Sequence, residues 1–170
     1  MQGQFEKSQF VRYGANGVCR IEDVRPIPEI NKQSSFYVLK PLADQKSVYY
    51  IPTDSKALTS KLRPPLTRDE IDAAIDSVKD EPLTWIEDRS VRLDTCRAAL
   101  RENDTRQTLL VVGMLYQHKQ QLAADSKKLS ASDEAALKEA QTLIENEFSF
   151  VLGLTKDEIE PYIRKRLDLS

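Results

Sequence analysis

The chain has 170 residues, 40% hydrophobic and 31% charged, with a formal net charge of −2, the mixture of a soluble globular protein of one ordinary domain or two small ones. No apolar run approaches the roughly 20 residues of a membrane span, and the start MQGQFEKSQF lacks the basic-then-apolar plan of a signal peptide, so a cytoplasmic protein without a membrane partner is expected. Two distant cysteines and one histidine exclude a recognisable metal cluster or disulfide framework, and so small a net charge argues against DNA binding by bulk electrostatics alone.

In chain order, the first sixty residues read as strands separated by turns. In VRYGANGVCRIEDV two β-prone runs flank Asn16-Gly17, a pair that supplies positive φ angles for a tight hairpin. SFYVLKP and SVYYIP follow, each an aromatic and β-branched run closed by proline, with LADQK between them. Several short strands without helices predict a small, twisted barrel of the SH3 or Tudor type, with at least one open strand edge. Cys19 and Cys96 read as small buried hydrophobes.

The composition changes at RPPLTRDE, which sets the expected domain boundary between residues 64 and 65. Pro64-Pro65 stops the last extended segment, and Thr67 with Glu70 forms a capping box. Further start signals are Thr84 with Glu87, Ser132 before Asp133 and Glu134, and Thr155 with Glu158. Leu137, Ala140, Ile144, Phe148 and Val151 follow the spacing of a buried helix face. TLLVVGMLY is apolar nearly all round, as suits a central helix. Five helices are predicted, near 67–80, 85–102, 105–123, 132–151 and 156–168. The predicted fold class is therefore α+β: a small N-terminal barrel over 1–64 and an all-α bundle over 65–170.

Charge is distributed unevenly. Residues 1–66 carry ten basic and six acidic side chains, and residues 67–170 carry fifteen and twenty-one. Within the acidic part, residues 89–128 form a basic island, eight against four. Material for catalysis is poor: His118 stands alone, the five glycines follow no phosphate-loop pattern, and the acids follow helix surfaces and caps. No enzyme activity, cofactor, metal or small-molecule substrate is expected.

Trp85, the only tryptophan, sits at the first position of the helix that Thr84 and Glu87 would open. Projected at about 100° per residue from Trp85, Arg89 falls near 40° and Arg92 near −20°, while Glu87 lies opposite and Asp88 near −60°. Two accounts follow. In one the ring anchors the first turn and the arginines stack or snorkel over it; in the other it is a wedge or stacking plate flanked by phosphate-binding cations.

In their order and spacing, VRYGANGVCRIEDV, FYVLKP with VYYIP, the Trp85 segment and LSASDEAALKEAQTLIENEFSFVLG resemble the CarD-like bacterial transcription regulators. Their N-terminal domain is shared with the polymerase-interacting domain of the transcription-repair coupling factor. The resemblance covers nearly the whole chain. It implies a non-catalytic protein that docks on the RNA polymerase β subunit by strand pairing at an open edge. Arg25 matches a position that contacts polymerase, and Tyr49 and Tyr50 occupy the strand where relatives often carry a basic residue. The resemblance also places Trp85 in the minor groove of promoter DNA at the upstream edge of the bubble, with Arg89 and Arg92 in the basic segment that follows. Glu87 and Asp88 stand where relatives are often basic, which implies weaker DNA contact, and Gly14 stands where relatives usually have proline.

The expected function is an RNA polymerase-binding regulator that tunes the open promoter complex, its DNA contact weak and polymerase-dependent. The alternatives are a protein-interaction adaptor without DNA contact and, third, an enzyme built on scattered carboxylates, which requires a deep pocket with perturbed acids.

Overall fold

The computed structural model describes residues 4–169. The chain divides into two compact units, Met1–Pro65 and Leu66–Ser170. The first is an antiparallel sheet of five strands: β1 Phe10–Tyr13, β2 Val18–Ile27, β3 Asn31–Pro41, β4 Tyr49–Pro52 and β5 Leu62–Arg63, with a one-turn helix α1 over Lys56–Thr59 before β5. The strand order is β4-β3-β2-β1-β5. β4 and β5 end the order, so the described pairing is an open sheet and no closed barrel is seen.

β1 and β2 form the expected antiparallel hairpin, but it does not turn on a two-residue Asn-Gly pair. β1 leads into a single 3-10 turn over Gly14–Asn16, and the positive φ angles fall on Gly14 at 46° and Gly17 at 76°, not on Asn16. The turn is held by Arg12, whose Nε donates to the Gly14 carbonyl at 3.0 Å. A proline, locked near φ −65°, cannot take the Gly14 conformation.

Period-two alternation sorts the sheet. Val11, Cys19, Ile21, Tyr37, Leu39 and Ile51 form the core on one face, where Phe5 meets Tyr37 edge-on at 5.9 Å. Burial pushes the Cys19 thiol up to about 12, so it stays a neutral, unreactive side chain. Ile27, Phe36 and Val38 make a separate small cluster. β2 is irregular between Ile21 and Asp23 and between Pro26 and Ile27. These irregularities lie beyond the segment that β1 covers, where a proline without an N–H is tolerated.

The second unit is helical: α2 Arg68–Ser77, α3 Arg89–Arg101, α4 Thr105–Ala124, α5 Ala131–Leu152 and α6 Lys156–Arg166. The Thr67–Glu70 box is formed in both directions, at 3.0 and 3.1 Å, and Thr155 N–H donates to Glu158 at 2.9 Å. α5 is capped by Ser130, two residues before the expected Ser132; its Oγ accepts from Asp133 N–H at 3.2 Å. α5 serves two cores. Leu137, Ala140 and Leu143 pack with Cys96, Leu100, Met114 and Leu115 from α3 and α4. Ile144, Phe148 and Leu152 pack with Ile71, Ile75, Leu109 and Ile159 from α2, α4 and α6. Glu147, 1% exposed, accepts from Leu66 N–H at 3.0 Å and fixes the entry to α2.

Gly153 ends α5 in the left-handed region at φ 68°, with its N–H on the Ser149 carbonyl. A Cβ there meets nothing within 4 Å, so the conformation alone sets the cost of alanine. Gly153→Ala is expected to lower stability by about 1 kcal/mol, read from the urea midpoint at unchanged slope.

No helix among the described residues is long and apolar enough to cross a membrane. No group of three or more His, Cys, Asp or Glu among them is placed to hold a metal ion.

Candidate functional site

The helix expected at 85 begins at Arg89. Its N-cap is Asp88, whose carboxylate accepts from Val91 N–H at 2.9 Å, and Glu81–Glu87 carry no regular structure. A helix through Trp85 would direct the Ile86 and Glu87 carbonyls to backbone N–H groups one turn on. Instead both accept from Arg92 Nη1, at 2.8 and 3.2 Å. Tertiary contacts also hold the segment extended. Trp85 and Ile86 pack against the core of α3, α4 and α5, and Leu83 lies on α4 where Gly113 has no side chain; a Cβ there would stand 3.0 Å from Leu83 Cδ2. The projection of Trp85 onto a helix face is therefore overturned. Asp88, expected to repel phosphate, is turned toward the positive end of its own helix.

Arg92 is a structural residue. Its side chain is 8% exposed and pairs with Asp133, 5% exposed, at the start of α5. Nε and Nη2 donate to the two carboxylate oxygens at 2.8 and 3.0 Å, and Ser130 Oγ donates to the same carboxylate at 2.9 Å. Burial pushes the Asp133 carboxyl up, but the hydrogen bonds from Arg92 and Ser130 and the charges of Arg92 and Arg89 outweigh it and hold the carboxyl below its ordinary range. With its donors on Asp133, Ile86 and Glu87, Arg92 has no face turned to a phosphate, which corrects its expected DNA role.

The Arg92 guanidinium also stands over the Trp85 ring, 4.4 Å from its centroid. His118, from α4, stacks on the same ring at 3.6 Å and 11°. Two planar groups this close to one centroid would overlap on a single face, so they take opposite faces. Both faces of the half-buried indole are occupied, and a base has no open face to stack on; what solvent reaches is an edge. Arg89 differs from Arg92. It is exposed, and its Nη2 donates to a neutral partner, Ser132 Oγ, at 3.0 Å. Trp85 and Arg89 therefore stand near the α5 N-terminus with an edge and a charge available. No signal in the local sequence marks His118 as a partner of the ring or Asp133 as the partner of Arg92.

The sheet unit carries the other three residues. In register, Arg25 faces Phe36, and Tyr50 faces Val38, which puts Arg25 and Tyr50 on the face of the sheet away from the main core. Both are exposed, and Arg25 Nε lies 3.5 Å from Asp23. Tyr49, paired with Leu39, turns inward and meets Tyr13 edge-on at 5.5 Å. Tyr49 thus belongs to the core side of the sheet, where it is half-buried. β4 pairs with β3 on one side and ends the sheet on the other.

No family model matches the chain, and no curated protein matches its sequence.

Proposed function

We propose that the chain is a transcription regulator of the CarD-like kind, its N-terminal sheet an SH3/Tudor-type module that pairs with a strand of the RNA polymerase β subunit. The observation that carries this reading is the open β4 edge; Tyr50 stands exposed on β4 itself, and Arg25 stands exposed on the same face two strands away, on β2. An unpaired strand of this kind recognises an extended partner through main-chain hydrogen bonds, and flanking side chains select it.

Docking supplies most of the affinity. The helical unit then acts at high effective concentration on promoter DNA at the upstream edge of the bubble, which suits a unit whose residues are net acidic. Of the three candidate DNA contacts, Trp85 and Arg89 keep the part. Trp85 presents an edge, as a wedge entering a base step does; Arg89 offers a phosphate contact; Arg92 holds the wedge rigid from behind.

Trp85→Ala is expected to abolish the effect on open-complex lifetime while co-purification with the polymerase β subunit persists. Unchanged promoter kinetics removes the wedge, and failure to recover polymerase removes the whole reading.

The engagement of Arg92 by Asp133 favours a second reading, a protein-interaction adaptor without DNA contact. Loss of Arg89 distinguishes them: Arg89→Ala makes the salt dependence of promoter occupancy shallower only if the side chain touches phosphate.

A further inference from the structure

The helical unit contains a cavity that neither the sheet edge nor the Trp85 segment uses. Its volume is about 150 Å³, and Leu109, Val112, Ile144, Ile159 and Ile163 line it from α4, α5 and α6. Leu109, Ile144 and Ile159 belong to the packed core, so these walls are set by the fold and not by a loop. An apolar space of about this volume takes up a single aromatic ring.

Carboxylates give the cavity a polarity. Glu145, half-buried, lines it together with Glu160, against one basic side chain in the lining, Arg164. Burial pushes the Glu145 carboxyl up, and Asp157 and Glu160 push the same way against Lys156. A second anion at this point adds to the crowding, whereas an ammonium group relieves it. Gly113 lines the same cavity, so the space lies beside the glycine on which Leu83 rests.

We infer that this cavity is a binding site for a small organic cation, an ammonium carried on a single-ring aromatic body. The ring lies among Ile144, Ile159 and Ile163, and the ammonium pairs with the Glu145 carboxylate. The inference stands on the lining and volume of the cavity and does not require the polymerase reading.

The test is titration of the full chain, isoleucine methyls labelled for NMR, with three probes of one shape: phenethylamine, ethylbenzene and 3-phenylpropionate. Phenethylamine is expected to shift the Ile144, Ile159 and Ile163 methyls saturably. Ethylbenzene should bind about tenfold more weakly, and Glu145→Gln should weaken the amine by about the same factor. The phenylpropionate should leave the methyls in place. Ile163→Phe, which fills the cavity, should remove the amine response while the remaining spectrum stays folded. No saturable shift with phenethylamine in the unaltered chain overturns the inference, and so does equal binding of the neutral or the anionic probe.

Discussion

Arg92→Ala is expected to destabilise the helical unit by about 3–5 kcal/mol, because it leaves a buried carboxylate without its counter-charge. Asp133 loses the bidentate partner at 2.8 and 3.0 Å, and the Ile86 and Glu87 carbonyls lose the donor that keeps the segment extended. The loss reflects exposure of an uncompensated charge, not the net worth of the pair. Hence Arg92→Met with Asp133→Leu, which removes both charges and keeps the volume, should cost much less than the sum of the two single changes. Trp85, the only tryptophan in the chain, touches Arg92 and reports the change directly. Urea unfolding followed by its emission measures the effect, and a loss below about 1 kcal/mol would show that the pair is a solvated one.

The pair also sets an acid limit. Asp133 is held below its ordinary value in the folded chain. Its contribution is complete above the unfolded carboxylate value, near 3.9, and is lost as pH falls through the lower folded value. Wild-type stability should therefore decline on the acid side more steeply than that of the doubly apolar variant, and parallel curves would contradict the pairing.

Phe148→Ala is the second large effect, about 3–5 kcal/mol. Phe148 is 0% exposed and lies in α5 among Ile71, Ile75, Leu109, Ile144 and Ile159. Helices on several sides fix the walls, so the space left by the ring closes only in part and the surrounding side chains lose their contacts outright. The urea midpoint should fall at nearly constant slope. Phe148→Leu, which keeps most of the volume, should recover over half the loss; equal losses for the two variants would mean that packing is not the cause.

What the residues disclose in advance depends on how far their partners lie along the chain. The boxes at Thr67 and Thr155 were legible because both members sit within one turn and their geometry is nearly self-contained. Thr84 with Glu87 carries the same signature and fails, since Arg92 and the core of α3, α4 and α5, on which Leu83, Trp85 and Ile86 rest, bind the segment from outside it. The helix begins instead at Asp88, as good a cap as threonine, four residues later. The same limit hid Asp133, 41 positions from Arg92, and with it the reason the arginine is buried. Tyr49 is a different case. Its alternation with Ile51 on a strand already placed it inward, so the core side of that residue was readable from period two, and it differs in this from Tyr50 on the opposite face. The short α1 at Lys56–Thr59, with Ser55 as its cap, is too brief to leave a periodic trace.

The two cores of the helical unit share one 22-residue helix, and Trp85 is fastened to the start of that helix through Arg92 and Asp133. An irregular stretch such as Glu81–Glu87 would ordinarily exchange its conformation on a loop's timescale. Here freeing the indole requires opening a buried ion pair at the head of the element that joins both cores, so local fraying is suppressed and release becomes a subglobal event. Trp85 is in this sense a fixed tooth whose lifetime is set by the bundle behind it.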